Sequence, residues 1–236
     1  MQDKNAGNLG DILKHFYLLK LLKRVSGRHN HIAYIDSHAG AGVYYLDKTR
    51  VDKIQKFKKK VYPDKKAWKP FEKLNPLVNN EYYGSWVLAA KYLTSLRIGK
   101  KIILFDCNRE VVRRIQVSIR GLSLKIPIRL TMKKVSPKDI KGLVKRLKRE
   151  GFDAVVVLID PFWKKGKEDF PWTEMLVGSE PGLYTILFDF SRASGKDDQG
   201  HLKCRWHAYD HLISFKTYAI NGYAVFGNKL AYKVLN

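Results

Sequence analysis

The sequence predicts an α/β fold: a mostly parallel sheet with helices on both faces and an antiparallel end near the C-terminus. Three observations predict it. Short apolar runs ending in an acid recur along the chain, as His31-Ile32-Ala33-Tyr34-Ile35-Asp36, Lys101-Ile102-Ile103-Leu104-Phe105-Asp106 and Ala154-Val155-Val156-Val157-Leu158-Ile159-Asp160. Stretches with apolar residues at helical spacing alternate with these runs, which is the rhythm of βαβ units. Near the end, Asn221-Gly222 separates Thr217–Ile220 from Tyr223–Phe226, and Asn-Gly between apolar runs signals a hairpin.

Taken in order, the turn residues Asn5 to Gly10 lead into Asp11, which can begin a helix reaching about Arg24 with Ile12, Tyr17, Leu18, Leu21 and Leu22 on its apolar side. Ser26-Gly27 ends it. The first strand then opens into Ser37-His38-Ala39-Gly40-Ala41-Gly42-Val43-Tyr44, where Gly40 and Gly42 let the backbone turn tightly and approach a ligand closely. From Asp47 to Pro76 the periodicity breaks into a lysine-dense stretch. Here Lys56, Lys58, Lys59, Lys60, Lys65, Lys66 and Lys69 are interleaved with Phe57, Tyr62, Trp68 and Phe71. Residues 47–80 are expected to form a small basic subdomain inserted in one domain spanning 1–236. Helices are expected over Gly84–Leu93, Arg109–Ile119 and Pro137–Arg149, and strands over Ile128–Met132 and Leu183–Phe188. Gly227-Asn228 offers a further turn before a last strand over Leu230–Leu235.

Composition narrows the partners. The 236 residues are 45% hydrophobic and can bury a substantial core. Neither a leader nor a membrane-spanning run stands out, and Cys107 and Cys204 have no paired spacing; a cytoplasmic protein without membrane contact is expected. The net charge of +23, with 12% aromatic residues, points to nucleic acid, because Lys and Arg release counterions when they neutralise phosphates. Lys58, Lys59 and Lys60, among aromatic platforms, are candidate substrate contacts. A solvated basic surface is the plainer reading of the same residues.

The glycine loop selects among cofactors. A dinucleotide fingerprint needs G-x-G-x-x-G, and Tyr45 stands where the third glycine belongs, which disfavours a nicotinamide oxidoreductase. An acid at the strand end before a small glycine-containing loop suits S-adenosylmethionine, with Asp106 on the next strand placed to accept from ribose hydroxyls. At the end of the third strand, Asp160-Pro161-Phe162-Trp163 resembles the D/N-P-P-Y/F/W motif of amino-methyltransferases. An exocyclic amine on a base is a poor nucleophile because its lone pair is delocalised. If the Asp160 carboxylate and the Pro161 carbonyl accept its protons, the nitrogen is held in line with the methyl group. Phe162 or Trp163 would stack on the base.

These pieces together resemble the bacterial large-subunit ribosomal RNA adenine-methyltransferases, the RlmJ family. The similarity lies in Ala6-Gly7-Asn8-Leu9-Gly10-Asp11-Ile12-Leu13-Lys14-His15, in Tyr34 to Gly42, in Tyr83-Gly84-Ser85, in Asp106 and in Leu158-Ile159-Asp160-Pro161. The resemblance implies a Rossmann-like methyltransferase fold, S-adenosylmethionine as cofactor and an adenine amine in RNA, most often ribosomal, as substrate. It places His15, His38, Ser85 and Asp106 at the cofactor, beside Asp36, Gly40, Gly42 and Asp160, and Lys14 and Asp160 at the catalytic centre. Phe162 replaces the family's second proline, Trp163 its tyrosine, and Ser136 an acid near the cofactor adenine. The alternatives are a nucleic-acid-binding protein with this fold and lapsed catalysis, and an amino-methyltransferase acting on DNA. A monomer is expected. His201, Cys204, His207 and His211 are spread too far along one helix to share an ion, so no metal is expected.

Overall fold

The computed structural model describes residues 6–61, 65–160, 172, 175, 180–190, 223–227 and 230–231. Eight strands are described among them: β1 (His31–Asp36), β2 (Val43–Tyr45), β3 (Glu81–Tyr83), β4 (Gly99–Asp106), β5 (Ile128–Met132), β6 (Ala154–Ile159), β7 (Leu183–Phe190) and β8 (Tyr223–Gly227). The α-helices of ten residues or more among them are α1 (Leu9–Ser26), α2 (Lys48–Val61), α3 (Lys65–Leu74), α4 (Ser85–Thr94), α5 (Arg109–Gly121) and α6 (Pro137–Arg149), and a 3-10 turn covers Val78–Asn80.

The main sheet runs β5-β4-β1-β6-β7-β8, with the first five parallel and β8 antiparallel to β7. Successive strand residues point to opposite faces, so each strand feeds two cores. Ile32, Tyr34, Ile102, Leu104, Ala154, Val156 and Leu158 meet α1, α4 and α5 on one face. Ala33, Ile35, Ile103, Phe105, Val155, Val157 and Ile159 meet α6, Trp172 and Met175 on the other. Every residue of β6 is buried, as a strand covered on both faces must be, which explains its unbroken apolar run. This is the mostly parallel α/β sheet, covered by helices on both faces and ending in an antiparallel strand, that the sequence predicts.

Strand order reverses beside β1. From there the chain grows outward through β4 and β5, then returns to β6 on the other side and continues to β7. Asp36 closes β1, Asp106 closes β4 and Asp160 follows β6 directly, so three acids converge on the carboxyl edge of neighbouring strands. Open α/β sheets bind ligands in this crevice.

Several elements differ from the sequence reading. α1 begins at Leu9, because Asn8 is the cap: its side chain accepts from the Asp11 amide at 3.0 Å, which frees the Asp11 carboxylate for other contacts. The lysine-dense stretch holds two helices, α2 and α3. Pro70 lies inside α3 and reads as a breaker, and the dense lysines obscure the apolar period. Below them β2 and β3 pair antiparallel and join the two ends of this segment, with the Asn75 carboxamide bonded to both the amide and the carbonyl of Tyr83 at 3.0 and 3.2 Å. Three-residue strands are too short to announce themselves by alternation. At the C-terminal end, Leu230 and Ala231 are helical rather than part of a strand, Ala231 is buried in the core that α1 also enters, and the rest of that expected strand lies outside the described residues. The described partner of β8 is β7, and Thr217–Ile220 lie outside the described residues. Among the described residues, no helix is long and apolar enough to cross a membrane.

Candidate active site

The first cluster forms where α1 meets the end of β6. One turn of helix separates Asp11 from Lys14, so their side chains share a face, and the Lys14 ammonium donates to Asp11 Oδ1 at 2.9 Å. The same ammonium donates to Asp160 Oδ2, joining residues 146 positions apart. Asp11 also accepts from the Gly7 amide at 3.0 Å, tying the turn before the helix to the cluster. Lys14 is only 5% exposed. Burial pushes its ammonium down, but the charges of Asp11 and Asp160 and their hydrogen bonds together outweigh that, and its proton is held more tightly than in water. Asp11 is pushed up, first by burial and further by the charge of Asp160, against the opposing pull of Lys14.

The second cluster sits at the end of β1. Asp36 is fully buried, and its Oδ2 accepts from the hydroxyls of Ser85 at 2.6 Å and Tyr34 at 2.8 Å. Its Oδ1 accepts from the His38 amide at 3.3 Å. Burial pushes the Asp36 carboxyl up to about 6; the Ser85 and Tyr34 hydroxyls and the Lys14 charge oppose the shift without cancelling it. Tyr34 is pushed well above its ordinary value by burial and by the Asp36 charge. Ser85 opens α4, so the helix start is what delivers this hydroxyl to the carboxylate.

The loop between β1 and β2 connects both clusters to Asp106. Gly40 and Gly42 hold φ of 63° and 87°, and a Cβ on Gly40 would fall 2.4 Å from the Tyr44 hydroxyl, while one on Gly42 would fall 2.3 Å from the Trp86 ring. The Gly40 amide donates to Asp106 Oδ2 at 3.3 Å, the Asn108 amide to Oδ1 at 2.8 Å, and the Ala39 amide to the Phe105 carbonyl at 2.9 Å. Ser37 donates to the Leu158 carbonyl and bonds His38 Nδ1 at 2.7 Å, fastening the loop to β6. The Ala41 amide donates to the Tyr44 hydroxyl at 3.0 Å, and Tyr44 is pushed up to about 12 by burial and by the Asp11 charge. The His38 ring meets Trp172 edge on, with centroids 5.6 Å apart. The Trp86 Nε1 donor is buried with no partner among the described residues.

His15, one turn along α1 from Asp11, points into the protein. It is buried, its Nδ1 bonds the Tyr82 hydroxyl at 2.7 Å, and burial together with the Lys14 charge keeps the ring neutral at physiological pH. Tyr82 is pushed well above its ordinary value by burial and by the Asp11 charge. Ser136, which stands where the resemblance expects an acid, acts locally and caps α6 in a reciprocal box with Asp139.

The structure therefore brings Lys14 to Asp160, Ser85 and His38 to Asp36, and Gly40 to Asp106, with the charges of Lys14 and Asp160 felt at Asp36. Pro161, Phe162 and Trp163 lie outside the described residues, as do His201, Cys204, His207 and His211. Lys58, Lys59 and Lys60 lie on the later half of α2, with side chains outside what is described. Among the described residues, no group of histidine, cysteine and acidic side chains could hold a metal ion. Sequence reasoning treats Asp11 only as a helix start and passes over Tyr34 and Tyr82. Two spacings could have found the first pair of contacts: Asp11 and Lys14 are three apart on a helix, and Tyr34 and Asp36 are two apart on a strand. Nothing local marks Tyr82, because it reaches His15 across the fold.

A nucleoside-bearing cofactor fits these residues. Gly40 and Gly42 let the loop turn tightly and close on Tyr44 and Trp86, and Asp106 at the strand end carries acceptor oxygens suited to ribose hydroxyls, each engaged by an amide. No family model matches the sequence, and no curated protein matches it. Solved structures do. A crystal structure of a Legionella pneumophila protein assigned to the family model DUF519 matches over 78% of this chain and 68% of that one, at 16% identity and a TM-score of 0.55. A ribosomal RNA methylase from Streptococcus thermophilus matches over 94% of this chain and 97% of that one at 12% identity, with a TM-score of 0.41. An S-adenosylmethionine-dependent methyltransferase from Aquifex aeolicus matches over 96% and 94% at 12% identity, also with a TM-score of 0.41. The first likeness supports the fold alone.

Proposed function

We propose that this chain is an S-adenosylmethionine-dependent methyltransferase acting on the exocyclic amino group of an adenine in RNA. The observation that carries the reading is the position of Asp160. Its carboxylate stands at the carboxyl end of β6, next to the point where strand order reverses, in contact with Lys14 and close enough to Asp36 for their charges to interact. The family resemblance of the motifs supports the adenine and RNA parts of the reading, and the net charge of +23 supports a polyanionic substrate.

S-adenosylmethionine, when bound, supplies an electrophilic methyl group on a sulfonium. The chain's own part is positioning. Asp160 would accept an N–H from the substrate amine and orient its lone pair, and Pro161 would supply the second acceptor from its carbonyl. As the nitrogen gains a methyl group it must lose a proton, and the Asp160 carboxylate is the acceptor at hand, passing it on to solvent. Lys14, held protonated between two carboxylates, would compensate one negative charge while the second Asp160 oxygen faces the amine. Asp106 would hold ribose hydroxyls, and the tight turn that Gly40 and Gly42 permit would bring loop backbone up to the methionine portion.

Calorimetric titration with S-adenosylmethionine should give saturable binding; none would favour the nucleic-acid-binding reading over the enzyme. Methyl transfer from labelled cofactor should go to RNA rather than to DNA or protein. Asp160→Ala should lower the rate about a thousandfold, the range of a lost positioning and charge-stabilising group. A variant as active as the parent would sink the mechanism.

A further inference from the structure

We propose that the outer face of α6 is a backbone-contact surface for the RNA, on the side of the sheet opposite the lysine-rich segment; this rests on the reading of the substrate as RNA. α6 is split lengthwise. Ile140, Leu143, Val144 and Leu147 are buried against β1, β4 and β6. Lys138, Lys141, Lys145 and Arg149, at spacings of three, four and four, are all exposed along the other side, and Lys134 continues the row before the helix starts. The sole acid between 133 and 149 is Asp139, and it is occupied by Lys133 at 2.7 Å and by the Ser136 cap. Lys134, Lys138, Lys145 and Arg149 form no ion pair among the described residues.

A solvated helix face does not need such uniformity of sign. Surface charges of ordinary helices are interspersed with acids that form pairs along the helix, as Arg146 does with Glu150 at the end of α6, whereas Lys138, Lys145 and Arg149 form no such pair among the described residues. From Lys138 to Arg149 the row extends about 16 Å at 1.5 Å per residue, the length of roughly five nucleotides of a stacked strand. It also starts in the right place. The Lys133 amide donates to the Asp106 carbonyl at 3.0 Å, so the row begins beside the candidate cofactor site and runs away from it along the sheet. α2 and α3 lie on the α1 face instead, with Ile54 and Phe71 in the core that α1 shares. A strand delivering a base to the carboxyl edge would thus be gripped from both faces.

The test uses the full chain and a fluorescein-labelled 30-nucleotide RNA hairpin, with binding followed by anisotropy between 50 and 300 mM salt, values of roughly the range over which counterion release is read. The combined variant Lys138→Gln, Lys145→Gln, Arg149→Gln is compared with a control of equal charge change, Lys23→Gln, Arg24→Gln, Arg28→Gln. All six side chains are exposed. The α6 variant should bind at least tenfold more weakly and show a log-log salt slope shallower by about 2, at roughly 0.7 per lost phosphate contact. The control should stay within about twofold. Equal weakening in both variants would reduce the effect to net charge and overturn the proposal, as would an unchanged α6 variant, or binding of anionic lipid vesicles in place of RNA. S-adenosylmethionine titration of the same variants separates this from the active-site reading: cofactor binding should be unchanged, and its absence in the parent protein would count against the enzyme, not against the surface.

Discussion

Asp36 and Asp160 stand at the ends of adjacent strands, yet they are held in opposite ways. Asp36 is buried among neutral donors, the hydroxyls of Tyr34 and Ser85, and these offset its desolvation only in part, so its carboxyl titrates near 6. Asp160 is 26% exposed at its side chain and meets a full positive charge on Lys14. A hydroxyl can satisfy a lone pair but cannot neutralise a charge, whereas an ammonium does both. The difference suits two roles. Asp36, at a cost in stability, holds the turn of the glycine loop and the start of α4 in place, and Asp160 keeps a charged oxygen available at the crevice.

The comparison can be broken most strongly at the cation. Lys14→Met would leave the Asp11 and Asp160 carboxylates facing each other, and should cost about 3–5 kcal/mol in urea unfolding at pH 7, the range for removing one partner of a buried pair. The deficit should shrink as pH falls, because Asp11, already pushed up by burial, then takes a proton more readily than a free carboxylate. A deficit independent of pH would show that Lys14 acts by packing alone.

Asp36→Asn tests the other carboxylate. Because its folded carboxyl binds a proton more tightly than the unfolded one, its contribution is fully present below about 3.8 and is lost as pH rises through about 6. The parent should therefore lose about 3 kcal/mol more than the variant between pH 3.5 and pH 7.5, by linkage at about 1.4 kcal/mol for each shifted unit. Parallel pH profiles would contradict the buried-charge account.

A smaller effect sharpens the same point. Ser85→Ala removes the shortest donor to Asp36 and should cost about 2 kcal/mol, while moving the pH at which stability falls still higher, since that hydroxyl opposes the upward shift. Thermal unfolding across a pH series would read both. The smallest expected change calibrates the others from outside either cluster: Gly142 lies within α6 with nothing within 4 Å of an added Cβ, so Gly142→Ala should stabilise by about 1 kcal/mol.

Much of the sheet is legible in the sequence because its signals are local. β1, β5 and α6 occur at or within one residue of the positions expected from apolar period and turn residues, since strands buried on two faces need continuous apolar runs and a helix covering one face needs a stripe. The segment between β2 and β3 is less legible. Its helices carry lysines at apolar spacing and a proline, and its strands are too short to show alternation.

The chain's residues alone determined that three acids would end three strands and that Gly40 and Gly42 would open a loop beside one of them, because strand period and glycine geometry are properties of neighbouring residues. Only the tertiary structure decided which acid meets a cation and which meets hydroxyls. Lys14 reaches Asp160 across 146 positions and Ser85 reaches Asp36 across 49, and such pairings follow from the order in which strands assemble into the sheet, which no local pattern encodes.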